Sequence, residues 1–136
     1  MLVADAGAVV RVLLQLPSAD EIWAAFAGHQ DAVHAPELMD VEVLSVLRKL
    51  VLRGELSAGR AAEAVADLQA LRVVRHRHAL LLPRAWSLQA NVTPYDALYV
   101  ALTEMLGDAA SLLTTDSRLA SAAAQHSSAR VVVVGP

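Results

Sequence analysis

Short aliphatic runs alternate along this chain with longer stretches of helical period. Leu2–Ala4 reads as a strand and Ala6–Leu14 as a helix, which Pro17 and Ser18 interrupt. Ser18 with Glu21 forms a capping box for a helix through Phe26, with Ile22, Trp23 and Phe26 at packing intervals. Ala32–Ala35 is a second strand, stopped by Pro36. Glu37–Leu52 carries the strongest helical signal, with Leu38, Val41, Glu42, Ser45, Val46 and Lys49 at threes and fours and Gly54 closing it. Ser57–Leu68 follows as a helix and Leu71–Val74 as a strand. Leu80–Gln89 is helical, with Pro83 in the first turn, where its missing N–H does no harm. Thr93, Pro94 and Asp96 stand as N-cap, N1 and N3 of a helix reaching about Met105. Ser111–Thr114 and the β-branched run Val131–Val134 are strands, separated by a short helix over Ser117–Gln125.

Strands alternating with helices in this way build a mostly parallel sheet covered on both faces, a three-layer α/β/α domain. With no internal repeat, linker or low-complexity tail, residues 1–136 form a single domain. In open sheets of this kind ligands bind beyond the carboxyl ends of the strands. Asp5 and Asp116 both follow directly on such ends.

Composition narrows the chemistry. The chain is 56% hydrophobic but only 4% aromatic, so its core is aliphatic. It has no cysteine, which excludes disulfides and thiolate sites and suits a reducing, cytoplasmic setting. The opening MLVADAG lacks a basic segment, so no secretory signal is expected, and no apolar run is long enough to span a bilayer. A net charge of −3 with a single lysine, Lys49, argues against a broad electrostatic clamp on nucleic acid. It leaves room for a nuclease whose cation neutralises substrate charge locally.

Two more carboxylates join Asp5 and Asp116. Glu42 stands one turn into its helix among Val41, Val43 and Leu44, where a lone polar group needs a partner, and Asp96 lies in the first turn of its helix. Right-handed crossovers would bring all four to one end of the sheet. Carboxylates gathered there repel, and a cation offsets that repulsion. Oxygen ligands without thiol or imidazole favour Mg²⁺ or Mn²⁺ over zinc. Each aspartate can equally serve as a helix-terminal acceptor, and Glu37 and Asp40 read as first-turn acids favourable to the helix dipole. Glu104 and Asp108 read as solvated surface.

The segments VADAGAVV at 3–10, APELMDVEVLSVLRKL at 35–50, TPYDALYVAL at 93–102 and LLTTDSRL at 112–119 together resemble the PIN-domain family. Within it they resemble the VapC-type toxins of bacterial toxin–antitoxin pairs. The resemblance implies a PIN-like fold and a divalent-metal-dependent endoribonuclease acting on RNA. By position its metal-holding and catalytic acids are Asp5, Glu42, Asp96 and Asp116, with Thr114 as the hydroxyl two residues before the last. It implies a cognate antitoxin as partner, and a homodimer. The sequence departs from the family at Gly7, where a serine or threonine is usual. Restoring a serine there is expected to leave activity equal or better if the backbone accommodates it.

Three other classes compete. A phospho-acceptor receiver domain needs a lysine after a late strand, and Lys49 lies in the first half. No GxGxxG or GxxxxGK[ST] supports nucleotide binding. A catalytically weak or inactive PIN-like domain acting through partner binding stays open because of Gly7. Elsewhere, VVRHRHALLL places His76 and His78 where they could touch phosphate or a partner but lack further ligands for zinc. Arg48, Lys49 and Arg53 are RNA contacts or a wet helix face. Tyr95, Tyr99 and Trp86 read chiefly as packing residues.

Overall fold

The structure is a computed structural model that describes residues 1–29 and 33–135. Strand β1 (Leu2–Ala4) leads into helices α1 (Ala6–Leu14) and α2 (Ala19–Ala27). Strand β2 (Val33–Pro36) leads into α3 (Leu38–Leu52) and α4 (Ala58–Ala70). Strand β3 (Val74–His76) is followed by a 3-10 turn at Ala79–Leu81, then α5 (Leu82–Ser87) and α6 (Pro94–Leu106). Strand β4 (Ser111–Thr114), helix α7 (Ser117–His126) and strand β5 (Arg130–Val133) complete the chain. Ala32, expected in the second strand, lies outside the described residues.

Five strands form one sheet in the order β3-β2-β1-β4-β5, and every neighbouring pair is parallel. The chain first winds outward from β1 to β2 and β3, then returns to the other side of β1 for β4 and β5. Right-handed crossovers therefore put α1–α4 on one face and α5–α7 on the other, giving the expected three layers. The reversal makes the gap between β1 and β4 the switch point of the sheet, where the two chain directions diverge and a crevice opens. Asp5 and Thr115–Asp116 follow these two strands.

Burial explains the elements. Helix α6 crosses the centre of the sheet, and every residue from Ala97 to Thr103 is buried, so this helix is apolar nearly all round. Thr103 satisfies its hydroxyl by donating to the Tyr99 carbonyl at 2.8 Å. The expected Thr93 cap and Pro94 start are present, Ser57 caps α4 through its hydroxyl, and Gly54 adopts φ +73° beyond the end of α3. The left-handed turn at Gly54 is one that a Cβ would penalise.

Several expectations need correcting. The buried stripe of α3 is Met39, Val43 and Leu47, whereas Val41 and Leu44 face outward. A helix with apolar residues on several sides offers more than one 3.6-residue stripe, and only the sheet selects one. Ser18 adopts a left-handed conformation and makes no side-chain cap bond, so the capping box does not form. Trp23 is exposed, and so is Trp86. Strand β3 begins three residues later than the apolar run Leu71–Val74 suggested. As an edge strand it needs no continuous apolar sequence, and charged residues there discourage further pairing.

Arg75 of β3 fixes this edge. Its guanidinium donates to Asp40 Oδ2 at 2.7 Å, to the Leu68 carbonyl at 2.9 Å and to the Val73 carbonyl at 3.3 Å. Asp40 thus pairs with a strand, beyond merely meeting the dipole of α3. Replacing Arg75 by alanine would leave three acceptors unserved, beside an Asp40 Oδ1 that is already buried without a partner. The pair is partly solvated, which discounts the loss to about 1–2 kcal/mol. Urea unfolding is expected to show that loss for Arg75→Ala. Arg75→Lys should recover little of it, since an ammonium cannot serve all three acceptors.

Glu104 is likewise more than solvated surface. Arg84 grips both its carboxylate oxygens, at 2.7 and 2.9 Å, and Ser127 donates to it as well. The arginine holds the Glu104 carboxyl below its ordinary range and ties α5, α6 and the end of α7 together.

Candidate active site

Asp5 sits between β1 and α1. Its backbone N–H donates to the Leu113 carbonyl at 3.1 Å, which extends the ladder with β4. Its Oδ1 accepts from the Ala8 N–H at 2.8 Å and caps α1, while Oδ2 accepts from the Thr114 hydroxyl. Asp5 is only 7% exposed, and that burial raises its carboxyl above the ordinary aspartate value despite these donors. Thr114, fully buried at the end of β4, also accepts from the Asp116 N–H at 2.9 Å. One hydroxyl thereby joins the two acids across the switch point.

Asp116 caps α7, its Oδ1 accepting from the N–H groups of Arg118 at 2.8 Å and Leu119 at 3.3 Å. Asp96 lies in the first turn of α6, where its N–H donates to Thr93 Oγ1 at 3.3 Å. Burial raises the Asp96 carboxyl, and the charge of Asp116 raises it further. Glu42 is half-buried on α3 and accepts from the Tyr99 hydroxyl at 2.7 Å. Burial raises it too, with added repulsion from Asp96 and Asp5. Burial pushes the Tyr99 phenol far upward, so it stays protonated and serves as a donor.

Each acid therefore lies within the electrostatic field of at least one other, and the chain of influence includes all four. Capping is realised as well, since one oxygen of Asp5 and one of Asp116 take helix-start N–H groups, while Thr114 serves the second oxygen of Asp5. Among the described residues none of the four is in a salt bridge. The exposed Arg118 is the cation whose charge reaches Asp96. Tyr99 is the partner that Glu42 needed, three residues after Asp96 and on the same side of α6. That spacing was visible in the sequence. The function of Tyr99 was not, because a buried tyrosine serves packing equally well.

The donor set suits a hard divalent cation in kind, being carboxylate oxygens at a crowded negative site. Among the described residues no three His, Asp or Glu side chains stand together closely enough to ligate one ion. Mg²⁺ keeps several of its waters and is held through one or two carboxylates, so this spacing fits it better than a closed protein cage.

The raised carboxyls have a pH consequence. A folded-state value above the unfolded one contributes stability that is complete below about pH 4 and lost as pH rises through the folded value. For Asp5, Glu42 and Asp96 the shift has that sign. Cation-free protein is thus expected to show a urea midpoint that falls as pH rises above about 4. Glu42→Gln should flatten that fall.

Gly7 faces this cluster. A Cβ there would stand 2.5 Å from Thr115 Oγ1 and 3.5 Å from Asp5 Oδ1. Whether a serine is accommodated there therefore turns on Thr115, whose hydroxyl, at the end of a rotatable side chain, borders that space. His76 and His78 belong to the β3 edge. His76 Nε2 bonds His34 Nδ1 at 2.8 Å, and His78 Nε2 accepts the Leu38 N–H at 3.1 Å at the start of α3. Both act as local structural partners.

A parallel sheet with acidic side chains gathered at its switch point defines a class of small α/β domains with an acidic site. The chain belongs to the PIN-domain family: the family model, described as PIN domain, matches residues 2–125. It is 39% identical over 119 residues to Ribonuclease VapC9 of Mycobacterium tuberculosis (strain ATCC 25618 / H37Rv), covering 88% of each chain. It is 42% identical over 121 residues to Ribonuclease VapC1 of the same strain, covering 88% of this chain and 89% of the relative. The crystal structure of PAE2754 from Pyrobaculum aerophilum shares the fold with a TM-score of 0.66 at 18% identity, over 96% of this chain and 81% of that one.

Proposed function

We propose that this protein is a Mg²⁺- or Mn²⁺-dependent endoribonuclease and the toxin of a toxin–antitoxin pair. The observation that carries the reading is the carboxylate quartet at the switch point, mutually repelling and in no salt bridge among the described residues, in a chain related to VapC ribonucleases. Asp5, Glu42, Asp96 and Asp116 would hold the cation between them, one or two directly and the others through its waters. When bound, it would polarise a phosphoryl oxygen of RNA and acidify a water. Thr114 keeps Asp5 and Asp116 in register through its two hydrogen bonds. Tyr99 holds Glu42 in one orientation, and the capping bonds do the same for Asp116. Arg118, exposed beside the acids, offers a cationic contact for a phosphate of the incoming strand.

Partner binding has physical support in an apolar cleft of about 420 Å³ lined by Trp23, Phe26, Val33, Ala70 and Leu71, among others. Exposed Trp23 at its rim suits the amphipathic helix of an antitoxin. Among the described residues no helix is long and apolar enough to cross a membrane. The resemblance also suggests a homodimer, for which exposed Leu80, Leu82 and Trp86 offer apolar surface.

The deciding experiment is cleavage of total cellular RNA by purified protein, freed of any co-purifying partner, in Mn²⁺ and in EDTA. Cleavage in Mn²⁺ alone is expected, with loss in Asp96→Ala. Persistence in EDTA, or equally in Asp96→Ala, would overturn the reading. Metal binding without cleavage of any RNA would transfer the function to the inactive, partner-binding alternative.

A further inference from the structure

We infer that Thr115 is a positioning residue of this site, its hydroxyl filling the notch that Gly7 leaves open beside Asp5. The inference rests on the cation-dependent reading above and adds to it a residue that the acidic quartet does not include.

Three observations converge on Thr115. The point where a Gly7 Cβ would stand lies 2.5 Å from Thr115 Oγ1 and 3.5 Å from Asp5 Oδ1, so both oxygens border one small space. The backbone of Gly7 does not call for glycine, because its φ lies outside the left-handed range. What calls for glycine is room for this hydroxyl. The Thr115 backbone N–H also lies near enough to the Asp5 carboxyl to lower it. The residue thus adjoins Asp5 with its main chain while its side chain reaches into the notch.

The hydroxyl is also available for work. Thr114, one residue earlier, uses its hydroxyl to donate to Asp5 and accept from Asp116. Thr115 Oγ1 has no such protein hydrogen bond among the described residues, and the residue is half-buried at the mouth of the switch point. A half-solvated hydroxyl next to a buried carboxylate can donate to it or hold a water that meets it. Groups that steady ligating carboxylates in this way contribute about 10- to 100-fold to metal affinity or activity.

The positional logic makes Gly7 and Thr115 one unit. Any side chain at position 7 forces Thr115 to turn its hydroxyl out of the notch. Removing that hydroxyl directly should therefore have the same functional effect as adding a methyl group at position 7.

The test combines Thr115→Val, Thr115→Ser, Gly7→Ala and the Gly7→Ala/Thr115→Val double variant in the full chain. Mn²⁺ affinity is read by titration calorimetry, and kcat and KM are read on one RNA substrate. Thr115→Val and Gly7→Ala should each weaken Mn²⁺ binding about tenfold and lower kcat with little change in KM. Thr115→Ser should match the wild type, because it retains the hydroxyl. The double variant should be no worse than either single one, since both remove the same group. Wild-type Mn²⁺ affinity in Thr115→Val would overturn the inference, and so would additive losses in the double variant. A wild-type protein that binds no Mn²⁺ would overturn the cation-dependent reading itself, and the role of Thr115 with it.

Discussion

Asp5→Ala is expected to lower RNA cleavage by roughly 10³-fold or more while the protein remains folded. The substitution removes the most buried carboxylate of the site, together with the acceptor that Thr114 and the Ala8 N–H both use. A misplaced cation forfeits several kcal/mol of transition-state stabilisation, and each 1.36 kcal/mol is a factor of ten in rate. Part of any structural loss comes from the α1 cap, worth about 1 kcal/mol. Asp5→Asn separates the two effects, because its amide oxygen can still cap the helix while the charge is gone. Single-turnover cleavage at saturating Mn²⁺, with circular dichroism on the same samples, makes the measurement. An Asp5→Asn protein that cleaves at the wild-type rate would remove Asp5 from the chemistry. An Arg53→Ala change should do far less, since it can remove only a phosphate contact on the exposed end of α3.

Mn²⁺ is expected to raise the melting temperature of the wild-type protein by about 10 °C at a free concentration some hundredfold above its dissociation constant. A ligand that binds only the folded form contributes roughly 2.7 kcal/mol at that occupancy, which corresponds to about this shift for a domain of this size. The repelling carboxylates also predict the behaviour without metal. Asp5, Glu42 and Asp96 are raised by burial first and by a neighbouring carboxylate second (Asp116 for Asp5 and Asp96, and Asp96 with Asp5 for Glu42), so their charged forms destabilise the fold at neutral pH. Glu42→Gln keeps an acceptor for Tyr99 and removes one charge. It should therefore melt a few degrees above the wild type in EDTA and gain less than the wild type from Mn²⁺. Equal melting of the wild type with and without Mn²⁺ would count against the site. A full shift surviving in Asp116→Asn would locate the bound ion elsewhere.

The sequence alone was enough to place most elements. Strands such as Leu2–Ala4 and Ser111–Thr114 are short, carry a buried apolar run and give way to polar residues at their carboxyl ends. The capped start of α6 at Thr93 was legible for the same reason: its chemistry is local. Local chemistry failed where the backbone took another course. Ser18 has the residues of a capping box but a left-handed φ of 75°, set by the tight turn after α1. Strand β3 failed to stand out because an edge strand pairs through its backbone and tolerates the alternating Arg and His of its sequence.

At the site, the sequence by itself determined the acids, their order and their places at strand ends and first turns, since motif spacing and chain direction govern those. The tertiary structure alone decided what each acid touches. The reversal of winding between β1 and β4 makes neighbours of Asp5 and Thr114, which are 109 positions apart in the chain. The crossing of α6 over the sheet brings Tyr99 to Glu42 across 57 positions. The close approach of α1 to the end of β4 gives Gly7 its meaning, turning an apparent loss of a hydroxyl into room for the one on Thr115. Contacts of this kind depend on packing distances of a few ångströms between elements far apart in sequence, and no local pattern encodes them.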